Sequence, residues 1–318
     1  MKVALICNTE ALAMPSIHYL AAQNLLTNIF ILEKNAVILQ NQIIAAGVTK
    51  EQICLVRKDN FESLFNLHIQ QSQPDILLVF GFPWHIPNSV LNSLPKGAFN
   101  FHFGLLPKYK GADPIFWQIK NGEQKAGLVV HRITPQIDEG PIVINHEVSL
   151  HKGETYGMHC SRMGFEAIAC LQYLLDNKEV LTEKKQEITN DTSFWKKPNT
   201  DDLEVNWEKQ TAEEIMHLVN ASNPKYGGIS AYLGNNECRF LEVAPIDMNI
   251  NEKVDAGTIV HADAVYGLIV ACINNSFLRI QIVHNQDGYL SGVKLFTLGV
   301  SLGQKFIQKE KTKRVLVS

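Results

Sequence analysis

The first half of this chain alternates short aliphatic runs with segments of helical spacing, and no other feature restricts its fold as strongly. Residues 2–7, 28–32, 52–56 and 75–80 are rich in Ile, Leu and Val. Between them Ile17, Leu20, Ala21 and Leu25, then Phe61, Leu64, Phe65 and His68, recur at helical intervals. Strands separated by helices of about ten to fifteen residues need crossover connections, so they build βαβ units and a parallel sheet covered on both faces. A helix-sized segment at 87–94, strands at 97–103, 127–134 and 141–150, and an amphipathic helix near 155–175 complete the expectation. The class expected is α/β, with a Rossmann-like, mostly parallel sheet and helices on both faces.

At 318 residues the chain is about twice the usual domain size, so a second domain is expected. A polar stretch around Lys196, Lys197, Pro198 and Asn199 is the linker candidate. The division expected is a catalytic domain at 1–195, a linker at 196–206 and a C-terminal domain at 207–318. Thr211 with Glu214 three residues later forms a capping-box pattern that opens a short helix to about Asn220. Short strands at 229–232, 239–243, 257–261, 267–273 and 277–283 follow. Their spacing suggests a small β-rich domain, an OB-like open barrel. The tail at 305–314 carries five basic residues and one Glu, and reads as a solvated terminus.

Composition excludes several function classes. Hydrophobic residues at 46% and charged residues at 19% are ordinary for globular chains, so global disorder is ruled out. A net charge of −3 is not that of a nucleic-acid coat protein. No apolar run approaches the roughly 18–20 residues of a membrane helix, so no membrane partner is expected. The opening Met-Lys-Val-Ala-Leu-Ile-Cys-Asn reads as a buried strand rather than a signal peptide. Six scattered cysteines without a CxxC pair suit reduced, buried thiols, and the expected compartment is cytoplasmic.

The turn after the first strand, Asn8-Thr9-Glu10-Ala11-Leu12, holds no glycine, which argues against a dinucleotide pyrophosphate there. No P-loop and no HExxH occurs. The unusual stretch is Phe99-Asn100-Phe101-His102-Phe103, where polar and aromatic residues alternate at period two. On a strand, Asn100 and His102 share one face and the three phenylalanines the other. At the C-terminal end of a parallel strand, that face opens into the crevice where α/β sheets bind ligands. An amide and an imidazole there are the components of an oxyanion-stabilising pair, or else they satisfy loop backbone groups. Asp138, in the turn Ile137-Asp138-Glu139-Gly140-Pro141, supplies a carboxylate, although Asp before a turn glycine is common. Together the three could bind a carbonyl, steady its oxyanion and collect a proton from an attacking amine.

Asn100-x-His102, Leu105-Leu106-Pro107-x-Tyr109-x-Gly111, Pro114, Trp117, Asn121-Gly122-Glu123, Gly127 and Asp138-x-Gly140 resemble the signature of the 10-formyltetrahydrofolate-dependent formyltransferases. Trp207, Asn223-Pro224-Lys225-Tyr226-Gly227-Gly228 and the later strands are similar to the C-terminal domain of its tRNA-modifying and amino-sugar branches. The resemblance implies Asn100, His102 and Asp138 as the catalytic trio. It implies 10-formyltetrahydrofolate as co-substrate, bound along Phe82, Pro83, Trp84, His85 and Ile86 and near Gly140. The acceptor would meet Lys108, Tyr109, Lys110 and Gly111. No metal is implied. Desolvation of the cleft is expected to raise the Asp138 pKa, and Asp138 to help hold His102 charged.

The chain departs from that family at Gly104, where Ser is usual, at Lys110, where Arg is common, and at Ala126-Gly127-Leu128-Val129, where Thr-Gly-Val-Thr is usual. These changes bear on the acceptor rather than on the trio. Residues 33–40 are short and almost uncharged where the tRNA enzyme typically carries a basic insertion. A tRNA binder needs cations around its cleft. The expected acceptor is therefore a small amine, first a nucleotide-linked amino sugar, with methionyl-tRNA as the alternative. A formyltetrahydrofolate hydrolase, with water as nucleophile, is a second alternative, and a non-catalytic folate-binding protein a third. A homodimer is compatible with this reading.

Overall fold

The computed structural model describes residues 1–177 and 180–309, so the expectation for the basic tail falls partly outside the described residues. The chain divides into two compact units: Met1–Ile115, Gln124–Leu150 and Met158–Lys197 form the first, and Phe116–Glu123, His151–Gly157 and Pro198–Ser318 the second. Phe116–Glu123 and His151–Gly157, inside the span expected for the catalytic domain, thus cluster with the C-terminal unit. No helix among the described residues is long and apolar enough to cross a membrane.

The elements run β1 (Val3–Cys7), α1 (Glu10–Ala22), β2 (Leu26–Leu32), α2 (Ala36–Ala45), β3 (Ile53–Val56), α3 (Phe61–Ser72), β4 (Ile76–Phe80), α4 (Asn88–Leu91) and β5 (Ala98–His102). They continue with β6 (Lys110–Gly111), α5 (Pro114–Lys120), β7 (Lys125–Arg132), β8 (Ile142–Ser149), α6 (Tyr156–Asp176) and β9 (Phe194–Trp195). The main sheet has the order β3-β2-β1-β4-β5-β7-β8. Strands β3 to β5 pair in parallel, whereas β5–β7 and β7–β8 are antiparallel. Every residue of β1 and β4 is buried, which is why these strands read as unbroken apolar runs. The helix expected at 87–94 is only Asn88–Leu91.

Helix α6 shows how sequence spacing becomes packing. Cys160, Met163, Ala167, Leu171 and Leu174 are buried, each three or four residues from the next, and Cys170 beside Leu171 is buried too. Gly164 lies on the same side, and a Cβ there would meet the Ala11 carbonyl oxygen at 2.1 Å. Only glycine permits that approach of α6 to α1. All six cysteines are free and buried.

The second unit contains α7 (Ala212–Ser222), β10 (Ile229–Leu233), β11 (Asn236–Ile246), β12 (Ile259–Asp263), β13 (Gly267–Cys272), β14 (Ser276–Asn285), β15 (Gly288–Ser291), α8 (Gly292–Thr297) and β16 (Phe306–Ile307). Its antiparallel sheet runs β12-β13-β14-β11-β10-β16, with β15 added to β14. Ile259 N–H donates to the Gln304 carbonyl at 2.8 Å and Phe306 N–H to that of Gly257 at 2.8 Å, so the two path ends meet. The capping box forms as expected: Thr211 N–H reaches Glu214 Oε2 at 2.8 Å and Glu214 N–H reaches Thr211 Oγ1 at 3.3 Å. Trp207, Phe240 and Phe306 share a buried aromatic cluster.

The segment expected as a linker is structured at its C-terminal part. Asn199 caps a short 3-10 turn, Thr200–Leu203, by accepting from the N–H groups of Asp201 and Asp202. Val205 is fully buried and its N–H donates to Ser230. Polar composition signalled a boundary here, but the same Asn and Asp residues are also capping residues, and they order the chain.

Candidate active site

Strand β5 puts its two chemistries on opposite faces. Phe99, Phe101 and Phe103 are buried, and Phe101 stacks on Phe80 of the neighbouring strand at 4.5 Å between ring centroids. Asn100 and His102 occupy the other face. The strand lies between a parallel neighbour, β4, and an antiparallel one, β7, with Asn100 directly opposite His131. The turns after β1 and β4 lie side by side, since Asn8 N–H donates to the Phe80 carbonyl at 3.2 Å and a Cβ on Gly81 would lie 3.6 Å from Thr9. Strand order reverses between β1 and β4, which is where open α/β sheets form their ligand crevice.

Asp138 converges on the Asn100 and His102 pair from the loop between β7 and β8. Its Oδ1 lies 3.4 Å from Asn100 Nδ2, 3.6 Å from His102 Nδ1 and 3.5 Å from His131 Nε2. Its Oδ2 accepts the Gly111 backbone N–H at 2.8 Å. The sequence-expected trio is therefore assembled, together with a fourth member, His131, that sequence reasoning did not single out. His131 was visible only as a polar residue in an apolar strand, and its importance depends on which strand pairs with β5.

Both imidazoles have a fixed tautomer. His102 Nε2–H donates to the Tyr109 carbonyl at 2.6 Å, and His131 Nδ1–H donates to the Arg132 carbonyl at 3.0 Å, because a carbonyl can only accept. Burial pushes the His102 pKa below its ordinary value, and the attraction of Asp138 does not reverse this. The expectation of a His102 held charged by Asp138 is corrected accordingly. The expectation of a raised Asp138 is also overturned. Burial does raise it, but His102, His131 and the Gly111 N–H outweigh burial and bring the carboxyl down to about 2.

The backbone around the carboxylate is held from several sides. Asp138 itself sits in the left-handed region at φ +53°, a conformation Asp tolerates better than most residues. Gln186 donates its amide to the carbonyls of Asp138 and Gly140, both at 2.8 Å, while its own Oε1 is buried without a partner among the described residues. This residue lies 48 positions from Asp138 in the chain, and sequence reasoning did not find it. Gly140 has no room for a side chain, since a Cβ would meet the Arg132 carbonyl oxygen at 1.7 Å. Gly104 is similarly enclosed: a Cβ would lie 2.6 Å from Pro114 Cβ, 3.1 Å from Tyr109 Cβ and 3.2 Å from His102 Nε2.

The remaining expected site residues divide by environment. Phe82 and Trp84 pack against Phe61 at 4.9 and 5.6 Å between centroids, and join the apolar core beside β4. Ile86 is buried, whereas Pro83 and His85 are exposed on the same loop. Tyr109 is fully buried and stacks on Trp195, so what it presents to the site is its carbonyl rather than its ring. Lys110 is only 7% exposed, and its ammonium lies 3.5 Å from Glu139, the residue next to Asp138. Lys108 is half-buried, with its ammonium 5.5 Å from the centre of the Tyr109 ring. Gly111 adopts φ +95° and pairs with Trp195, which aims its N–H at Asp138.

Among the described residues, His102, His131 and Asp138 are also a group whose donor atoms, all within 4.8 Å of one another, could take a metal ion.

A half-buried amide, two buried imidazoles and a carboxylate at the open end of such a sheet are groups suited to acyl chemistry without a covalent nucleophile. Residues 25–171 match the family described as formyl transferase, and residues 197–299 match the formyl transferase C-terminal domain. The chain belongs to the formyl transferase family.

Three solved structures share its fold at low identity. HypX from Aquifex aeolicus, in complex with tetrahydrofolic acid, is 14% identical with a TM-score of 0.66, over 98% of this chain and 51% of that one. The present chain thus spans about half the length of HypX. An N-formyltransferase from Helicobacter canadensis, in complex with folinic acid and dTDP-3-aminofucose, is 16% identical with a TM-score of 0.63, over 88% of this chain and 99% of that one. Methionyl-tRNA formyltransferase from Clostridium thermocellum is 18% identical with a TM-score of 0.52, over 77% and 93%.

Proposed function

We propose that this enzyme moves the formyl group of 10-formyltetrahydrofolate to the primary amine of a nucleotide-linked amino sugar, in a reducing, cytoplasmic setting that suits its buried thiols. The observation that carries the reading is the convergence of Asn100, His102 and Asp138 at the C-terminal end of β5, in a chain of this family.

The neutral amine attacks the formyl carbon, and negative charge develops on the formyl oxygen. Asn100 offers an amide donor to that oxygen, and His102 becomes a second donor as it gains a proton. A carboxylate held at about 2 is a weak base, so Asp138 acts chiefly by attracting the ammonium that forms. The proton passes to His102, whose Nδ1 lies 3.6 Å from Asp138 and is bare in the resting state. Collapse forms the amide, breaks the bond between the formyl carbon and N10, and returns the proton to N10. Residues 81–87, beside the crevice between β1 and β4, would receive the folate. Pro83 and His85 are the exposed side chains there, while Phe82 and Trp84 back the loop from the core.

Two features support a small acceptor. The protein carries a net charge of −3, and residues 33–40 hold a single cation, Lys34, where a tRNA acceptor stem would need several. The fold-sharing enzyme from Helicobacter canadensis was captured with dTDP-3-aminofucose. The discriminating assay scores formylated product against salt. Formylation of a nucleotide amino sugar with shallow salt dependence is expected. Efficient formylation of methionyl-tRNA with steep salt dependence would assign the alternative acceptor, and formate release without any amine would assign hydrolysis.

A further inference from the structure

We propose that His131 is a positioning residue for the transfer: its neutral ring accepts from the Asn100 amide and thereby fixes which end of that amide faces the reaction. The inference rests on the formyl-transfer reading above. His131 is 2% exposed on β7 and stands opposite Asn100 in the strand register. Its Nδ1–H is committed to the Arg132 carbonyl at 3.0 Å, so in the neutral ring Nε2 carries only a lone pair. That atom faces Asn100 Nδ2 at 3.1 Å, and Asp138 Oδ1 faces the same nitrogen at 3.4 Å.

An amide has a donor end and an acceptor end, and a half-turn exchanges them. With two acceptors on one side, the NH2 group of Asn100 is held towards them. One of its protons is shared between Nε2 and Oδ1, and the second stays available to the developing oxyanion. A side chain without an acceptor at position 131 would remove one of the two partners that hold the NH2 group, and the amide would be less firmly aimed at the oxyanion. The ionisable groups facing His131 are Asp138 from the turn and His102 from β5, with ring centroids 6.2 Å apart for the two imidazoles. The guanidinium of the next residue on β7, Arg132, is engaged by Glu183.

His131→Leu removes the acceptor, and His131→Gln supplies one that does not titrate. His131→Leu is expected to lower kcat at least about tenfold, as for loss or misorientation of an oxyanion donor, with KM for 10-formyltetrahydrofolate changed less than about twofold. His131→Gln should recover most of kcat. Near-normal kcat in His131→Leu, or no recovery in His131→Gln, would overturn the proposal. Nuclear magnetic resonance of the Asn100 side-chain amide provides a readout independent of turnover. Its resonance should shift in His131→Leu and return towards the wild-type position in His131→Gln. If wild type formylates no amine tested, the functional reading fails by itself. The amide resonance then decides the positioning inference, and a resonance indifferent to the His131 substitution overturns it.

Discussion

The backbone N–H of Gly111 donates to Asp138 Oδ2 at 2.8 Å, which binds the turn after β7 to the β6 segment that follows β5. One carboxylate oxygen is thereby occupied by main chain, and the other is left to face Asn100, His102 and His131. The direction of its shift explains why Asp138 acts as a negative charge rather than as a strong base: burial opposes the anion, but His102, His131 and the Gly111 N–H outweigh it.

Replacing that charge should separate chemistry from binding. Asp138→Asn and His102→Ala are each expected to lower kcat by about a hundredfold or more, through loss of charge stabilisation and of a donor to the oxyanion. Binding of tetrahydrofolate, followed by thermal shift or calorimetry, should survive in both. Near-normal turnover in either variant would remove that residue from the catalytic trio.

Acid stability should carry the signature of the same two groups. Asp138 is lowered on folding, so its contribution is present above the unfolded carboxyl pKa and is lost as pH falls from there through about 2. His102 is also lowered, so the unfolded chain binds the proton first and stability declines as pH falls below the ordinary imidazole value. Both slopes have the same sign: stability rises with pH. Melting temperatures measured across pH 2–7 should show a shallower fall below about pH 4 in Asp138→Asn than in the wild type.

Gln186 is expected to matter although it lies outside the strands that carry the site. Gln186→Leu would leave the Asp138 and Gly140 carbonyls without their donor, at a cost of about 1–3 kcal/mol in denaturant unfolding. Activity should fall as well, because the turn that aims Asp138 loses its anchor. A variant with wild-type stability and kcat would show that the turn is held sufficiently by Gly111 alone.

Gly104→Ser offers a test with a counterintuitive sign. Serine is the residue usual at this position in the family, yet here it should harm the enzyme. Its Cβ would press on Pro114 and on Tyr109, whose carbonyl holds His102. Overpacking of about 1–3 kcal/mol and a reduced kcat are expected. Improved activity without loss of stability would mean that the loop from residue 104 to 114 yields more easily than its packing suggests.

Much of this protein was determined locally. Buried apolar runs and helical spacing specify βαβ units, because a strand covered on both faces must be apolar throughout and a parallel partner demands a crossover. Period-two alternation placed Asn100 and His102 on one face of β5, since a strand turns successive side chains to opposite sides. The Thr211 and Glu214 pair likewise contained its own capping geometry. Tertiary structure decided the rest. His131 joined the site because β7 rather than another strand lies beside β5, and strand order depends on the packing of the whole sheet. Gln186 reached the catalytic turn across 48 residues, a contact no local pattern encodes. The direction of the Asp138 shift was decided by three-dimensional neighbours, because burial and charge oppose each other there and only their distances say which is larger.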